Sequence, residues 1–270
     1  MKLCRFQPLE FAIKDVGRSG HEVRAQTFTG IVEDNSVREI RGGLFGAGER
    51  TGRKWPVGEV KFLAPSVPSK IVCVGRNYHD HIKELESTVP KEPLIFLKPP
   101  SAVLAPEDPI VVPRLSQRVE YEGEIAIVIG RRCFHLREAD DVNPYILGYT
   151  ALNDVTARDL QRADSQWSRA KGFDTFCPFG PVIETNRPSI HEKVESFVNG
   201  VPKQSAPIGD MIFSIDTVIR WIAQVMTLEP GDVIATGTPG GVGPLAPGDV
   251  VEVKVSDVGT LRNPVVGPQD

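Results

Sequence analysis

Residues 119–129 read VEYEGEIAIVI, with glutamates at every second position running into an unbroken stretch of apolar, mostly β-branched side chains. Such side chains favour extended backbone, so the second half is expected to be a buried strand. Extended geometry sends residues two apart to the same face at about 6 to 7 Å, which places Glu120, Glu122 and Glu124 together. Three carboxylates so close repel one another, and burying them unpaired is costly. Something positive should sit among them, yet no Lys or Arg alternates with them. Two readings stay open: a wet strand end whose charges point at water, or a site for a hard divalent cation, which takes oxygen ligands.

The other properties of the chain narrow what such a strand can serve. Its 270 residues are enough for one large domain and a small one, and 40% hydrophobic with 24% charged residues is ordinary globular composition. A net charge of -4 argues against nucleic acid or an anionic membrane as partner. The four cysteines, Cys4, Cys73, Cys133 and Cys177, form no CxxC pair, so reduced buried thiols are expected rather than a zinc or dithiol site. Charges interrupt the N-terminal apolar run, and no stretch approaches the roughly 20 apolar residues of a membrane span. The expected location is the cytoplasm.

Residues 1–65 carry short alternating segments, at 23–28 and 30–32, and are expected to form a small strand-rich N-terminal domain. Residues 64–68, spaced by prolines, read as a linker to a second domain over 66–270. The glycine-rich piece 43–48 lacks the Lys-Ser/Thr ending of a phosphate loop and is expected to be a surface loop. A short strand at 70–75 leads into helical spacing over 76–85. There His81 and Glu84 share a face, so the carboxylate could hold the imidazole, or the pair could be an incident of a solvated helix; His79 faces elsewhere. A strand near 93–98 ends in Lys98 before two prolines, pointing either to solvent or into a cleft. After a strand over 144–152, Asn153 is expected to cap a helix that aligns Asp154, Arg158 and Gln161 on one face, either as an internal ion pair or as contacts for metal, carboxylate and carbonyl. The loop 169–181, rich in aromatics, Gly and Pro, carries Lys171 on a surface connection or a pocket wall. Further on come a hairpin turn at Asn199-Gly200, a helix over 215–225 with Ile215, Val218, Ile219 and Ile222 at core spacing, and a strand and Gly-rich turn over 228–241. No Lys follows that turn, which excludes a nucleotide loop, while Thr238 and nearby amides could bind an oxyanion. An alternating strand at 247–255 closes the series.

The segments GRNYHDHIKE, PLIFLKPPSA, VEYEGEIAIVIG, YTALNDVTARDLQ, AKGFDTFCPFGP and GDVIATGTPGGVGP, in this order between about Lys70 and Val266, resemble the fumarylacetoacetate hydrolase family. The resemblance implies a mainly β fold, a roll with a mixed sheet, and a homodimer. It implies one Mg2+ or Mn2+ per subunit held by Glu122, Glu124 and Asp154, with Glu120 left to support these ligands or to face solvent. It further implies His81 and Glu84 as a general-base pair on a mobile lid, Lys171 as a catalytic cation, and Arg76, Lys98, Arg158, Gln161 and Thr238 as substrate contacts.

The implied partner is a small 2-keto or β-diketo acid. The leading expectation is a metal-dependent hydrolase that cleaves a C–C bond in a β-diketo acid of acylpyruvate or fumarylacetoacetate type. His81 would deprotonate water, Arg158 would anchor the carboxylate, and the enolate would be held at the metal and Lys171. The same enolate serves an isomerase, a keto-enol tautomerase or a decarboxylase acting on 2-hydroxydienoate or oxaloacetate-like acids. A non-catalytic, metal-stabilised scaffold is the remaining alternative.

Overall fold

The computed structural model describes residues 1–12, 26–46, 48–84 and 86–268. Residues 23–25 of the first alternating segment, Ala47 of the glycine-rich loop and Leu85 at the end of the expected helix lie outside them. Among the described residues the largest sheet has 12 strands. Along its main path it runs Glu49–Pro56, Ser36–Arg41, Phe28–Glu33, Lys2–Pro8, Cys177–Glu184, Ile146–Asn153, Gly123–Ile129, Val233–Ala235, Ile71–Gly75, Leu94–Lys98. A 5-stranded sheet, Val201–Pro207, Lys193–Val198, Val250–Val255, Gly259–Val266 and Ile110–Val111, lies beside it, with a 3-stranded ribbon of Thr156–Ala157, Val119–Tyr121 and Gly243–Pro244. The protein is therefore mainly β, with the strand-rich N-terminal part that the alternating segments predict.

Gly123–Ile129 explains why its sequence is apolar throughout. Ile125, Ile127 and Ile129 point into a core shared with the helix Ile215–Val225 and with Val253, Val255 and Leu261 of the smaller sheet. Ala126 and Val128 point the other way, against Cys73, Cys177, Phe179, Val233 and Ala235. A strand covered on both faces has no polar side to show. Glu122 and Glu124 continue the parity of Ala126 and Val128, at the end where that second layer of core gives way to a cavity.

Helix Ile215–Val225 buries Ile215, Val218, Ile219, Ile222 and Ala223, and Ser214 accepts from the Thr217 N–H at its start, as its spacing and cap residue require. Asn199 and Gly200 turn the chain with φ of 52° and 76°, the left-handed pair that a tight hairpin needs.

The segment 64–68 is packed against the rest of the protein: Ala64 sits in the core and the buried Ser66 hydroxyl donates to Gly231 O at 2.9 Å. The first strand, moreover, continues the large sheet through Lys2↔Glu184 and Leu3↔Ile183, while Phe6, Phe28 and Trp55 fill the space between the N-terminal strands.

Asp232 ties this junction down. Its buried carboxylate accepts from the backbone of Ser69 (3.0 Å), Lys70 (3.1 Å) and Glu229 (2.8 Å) and from the Ser69 hydroxyl (2.7 Å), and it pairs with the Lys70 ammonium. Burial would raise its pKa, but the Lys70 and backbone donors outweigh burial and hold it below the ordinary aspartate value. Asp232→Asn is expected to cost about 2 to 3 kcal/mol, the scale of charge-assisted hydrogen bonds, in urea unfolding at neutral pH. A folded-state pKa below the unfolded one contributes stability above about pH 4 that is lost as pH falls through the folded value. The acid limb of the stability profile should accordingly flatten in the variant.

Candidate active site at the carboxylate strand

Glu122 lies between Val119–Tyr121 and Gly123–Ile129, where the chain leaves one sheet for another. Asn153 fastens this break: Gly123 pairs with it across the strands, and its Oδ1 accepts from the Glu122 N–H at 3.0 Å. It is a strand residue and caps no helix. Thr156–Ala157 pairs with Val119–Tyr121 and postpones the helix to Arg158–Ala163, so Asp154 is not on the helical face of Arg158 and Gln161. The chain reverses there, and Asp154 comes back to the end of the carboxylate strand.

Ligand oxygens of Glu122, Glu124 and Asp154 lie within 4.8 Å of one another, all three residues buried. The expected cations are present, brought from elsewhere in the chain. Arg158, at 1% exposure, donates to Glu120 Oε2 at 2.6 Å and to Glu122 Oε1 at 2.5 Å. Lys171, from the short helix Ser168–Lys171, reaches Glu122 Oε2 at 2.8 Å and Asp154 Oδ2 at 2.6 Å, and lies 5.0 Å from the centre of the Phe96 ring. Lys98 donates to Asp154 Oδ1 at 2.6 Å and to Val155 O at 3.0 Å. Glu120 is buried between Arg158 and Arg118 rather than solvated. Lys98 is not among the residues that line the cavity; its ammonium is buried against Asp154 and the Val155 carbonyl.

These contacts set the electrostatics. Burial pushes the Glu122 carboxyl up, but Lys171, Arg158 and His81 outweigh it and hold it well below the usual range. Glu124 has no such ion pair among the described residues; its Oε2 accepts from the Gly237 N–H at 2.7 Å, and burial, with Asp154 and Glu122 beside it, pushes its carboxyl well above the carboxylate range. Burial works against the charges of Arg158 and Lys171, and their anionic partners more than restore them.

A cavity of about 240 Å³ opens over the triad, lined also by Arg76, His81, Arg158, Gln161, Lys171 and Thr238. Gln161 accepts from Arg158 Nη1. Thr238 donates to Gly123 O at 2.9 Å and accepts from Gln204 Nε2 at 2.7 Å, so its hydroxyl is already engaged by the fold. The expected helix over 76–85 is shortened to His79–Glu84. On it His81 Nδ1 stands 3.7 Å from Glu84 Oε2, beyond hydrogen-bond reach, because Glu84 Oε2 accepts from the Gly241 N–H at 3.1 Å. Among the described residues His81 Nδ1 is buried without a hydrogen-bond partner. Burial, helped by Arg158 and Lys171, lowers the imidazole pKa against the opposing pull of Glu122 and Glu84, so the ring is neutral at neutral pH.

Ser87, Arg162 and Trp167, which fall outside the six quoted segments, also line the cavity, as does Phe96 of PLIFLKPPSA, to which the sequence assigns no role. The signal available for Trp167 was an aromatic in the polar run QRADSQWSRAKGF four residues before Lys171.

Comparison with known proteins agrees with this geometry. The family model for the fumarylacetoacetate (FAA) hydrolase C-terminal region matches residues 70–266. The chain belongs to the fumarylacetoacetate hydrolase family. Residues 22–65 match a second family model, the Rv2993c-like N-terminal region. Protein Rv2993c of Mycobacterium tuberculosis is 48% identical over 240 residues, covering 88% of this chain and 90% of that protein. The crystal structure of 5-carboxymethyl-2-hydroxymuconate delta-isomerase from Mycobacterium smegmatis shares the fold at a TM-score of 0.88 and 41% identity, over 99% of this chain and 100% of that one. Mitochondrial oxaloacetate tautomerase FAHD2A of Bos taurus is 44% identical over 225 residues, 78% of this chain and 71% of that protein. This family member thus has relatives named for isomerase and tautomerase chemistry, where the leading sequence expectation was a hydrolase. Among the described residues no helix is long and apolar enough to cross a membrane.

Arg158→Met strands two buried carboxylates at once. It is expected to destabilise the metal-free protein by about 3 to 5 kcal/mol, the cost of breaking a buried ion pair from one side, measured by denaturant unfolding in EDTA.

Proposed function

We propose that the chain is a divalent-metal-dependent enzyme that moves a proton between the enol and keto forms of a small 2-oxo acid. The observation that carries this reading is the His81 ring, buried and unpartnered at Nδ1, on the wall of the cavity that also holds the Glu122, Glu124 and Asp154 carboxylates. The names of the two relatives, a delta-isomerase and an oxaloacetate tautomerase, support it, since both describe proton shifts that leave the carbon skeleton intact.

The triad fits a hard cation. Three carboxylates offer oxygen ligands, each oxygen keeps a lone pair beyond the one given to Arg158, Lys171, Lys98 or the Gly237 amide, and the displaced pKa of Glu124 marks an uncompensated negative charge. Ligand oxygens within 4.8 Å of one another, from three buried carboxylates, are close enough for one cation to be shared among them. Such an ion, held by Glu122, Glu124 and Asp154, supplies Lewis-acid stabilisation of a developing enolate.

The protein residues supply the remainder. Neutral His81 accepts the proton from the carbon beside the carbonyl and returns it to oxygen, or carries it in the reverse direction. Together with a bound divalent ion, Lys171 and Arg158 would make the floor of the cavity positive enough to hold the substrate carboxylate, and Gln161 fixes the guanidinium. Phe96 and Trp167 limit water beside the reacting carbon.

A second reading, C–C hydrolysis of a β-diketo acid, is favoured by the His81–Glu84 separation of 3.7 Å. A small rotation of Glu84 away from Gly241 would form the pair that activates water.

With Mg2+, the protein is expected to accelerate the decay of oxaloacetate enol absorbance without releasing pyruvate, and EDTA should abolish this. His81→Ala should lose about 10²- to 10⁴-fold, the usual contribution of general acid-base catalysis, while the thermal stabilisation by Mg2+ persists. Enol decay at the uncatalysed rate would reject the tautomerase, and metal-dependent cleavage of an acylpyruvate would establish the hydrolase in its place.

A further inference from the structure

Tyr121 stands between Glu120 and Glu122 in the chain, yet its side chain does not join theirs. Successive strand residues point to opposite faces, and the Tyr121 ring is buried instead with Val119, Val155, Val198 and Leu245. Its hydroxyl donates to Gly241 O at 2.8 Å. The N–H of the same glycine is the donor that holds Glu84 Oε2 at 3.1 Å. Gly241 is thus held by Tyr121 at its carbonyl and holds Glu84 with its amide.

The turn that contains Gly241 is fixed along its length. The Gly237 N–H donates to Glu124 Oε2 at 2.7 Å, and Gln204 Nε2 donates to Thr238 Oγ1 at 2.7 Å and to Pro239 O at 2.8 Å. Gly241 has a φ of 97°, a conformation that favours glycine, and a Cβ there would stand 2.3 Å from Lys203 O. A Cβ at Gly240 would stand 3.2 Å from that of Asp80, so the turn packs directly on the His79–Glu84 helix. The stretch that carries the carboxylates therefore holds this turn at both ends, through Glu124 at Gly237 and through Tyr121 at Gly241. The consequence falls on Glu84. With Gly240 and Gly241 it lines a separate cavity of about 810 Å³, whereas His81 faces the cavity above the triad.

We propose that Tyr121 is a positioning residue that selects the reaction: by fixing Gly241 it keeps the Glu84 carboxylate off His81 and leaves the imidazole to carry a proton between enol and keto forms. Without that hold, Glu84 turns to His81 Nδ1, 3.7 Å away, accepts its proton in a hydrogen bond and leaves Nε2 as a base for water. With an acylpyruvate, Nε2 takes one proton of the water as the water oxygen bonds to the distal carbonyl carbon. The C–C bond then breaks, its electron pair leaving on the pyruvate enolate, and the imidazolium gives the proton to the enolate carbon. The products are a carboxylic acid and pyruvate. This inference rests on the reading of His81 as the proton carrier of a metal-dependent 2-oxo acid site.

The test follows two reactions of the Mg2+-loaded protein, decay of oxaloacetate enol and cleavage of acetylpyruvate, in the parent, Tyr121→Phe, Glu84→Gln and the double variant. Tyr121→Phe removes the hydroxyl and keeps the ring that fills the core. The ratio of cleavage to tautomerisation is expected to rise about 3- to 10-fold in Tyr121→Phe, the scale of one hydrogen bond. In the Glu84→Gln background the same substitution should leave that ratio within about 2-fold, since the partner it releases is gone. In metal-free protein carrying isotope-labelled histidine, at one fixed pH, His81 should gain a downfield Nδ1–H proton in Tyr121→Phe and lose it in the double variant. A ratio unchanged by Tyr121→Phe, a rise that persists without the Glu84 carboxylate, or the absence of the new proton overturns the positioning role and leaves the 2-oxo acid site standing. A parent that turns over neither substrate with Mg2+, or that only cleaves, rejects the proton-transfer reading and this inference with it.

Discussion

Everything around the cavity depends on the cancellation of buried charge. Four carboxylates, Glu120, Glu122, Glu124 and Asp154, are removed from water, and each would be untenable alone. Arg158, Lys171 and Lys98 are buried with them and make the burial possible, arriving from three different segments of chain. The compensation is uneven. Glu122 and Asp154 are each held by two cations, whereas Glu124 has a backbone amide. The protein thus leaves one carboxylate short of positive charge at the point where three of them converge. That imbalance is what a divalent cation would correct, and it turns an arrangement of ion pairs into a binding site.

The parts of this design that are local were legible in the sequence. The alternation of Glu120, Glu122 and Glu124, the apolar run after them and the spacing of Ile215, Val218, Ile219 and Ile222 each have a period that the backbone must respect. What depended on distant pairing was read less well. Nothing near Asn153 announces that Thr156–Ala157 will pair with Val119–Tyr121 and delay the helix, so Asp154 and Arg158 looked like neighbours on one face. Lys98 looked like a group at the mouth of a cleft because its partner, Asp154, is 56 residues away. Glu84 looked committed to His81 because the competing donor, the Gly241 amide, is 157 residues away. Arg162 and Trp167 carry no periodic or motif signal; only folding shows that their side chains share a wall with Gly75.

The scaffold and the site divide the strand Gly123–Ile129 between them. Its far end is clamped between two layers of apolar side chains, and its near end carries the ligands. A rigid strand whose register is fixed by burial on both faces places carboxylates more accurately than a loop can. Asn153 extends that rigidity past the break at Glu122, where the ladder itself stops. His81 and Glu84 sit instead on a helix of six residues, which buries His81 and Ile82 and is tied to Gly241 through the Glu84 carboxylate.

The pairing of Lys2–Pro8 with Cys177–Glu184, sealed by the Met1 ammonium on Glu184 across 183 residues, bears on how the chain is made. Synthesis proceeds at about 5 to 20 residues per second, so the first strand emerges on the order of ten to forty seconds before its partner. During that interval Phe28–Glu33 and Val60–Leu63 can engage it from within the N-terminal segment, leaving open only one edge of its first residues. The N-terminal unit therefore shields its own leading strand on the ribosome, and later offers a short, already ordered edge on which the large sheet can close.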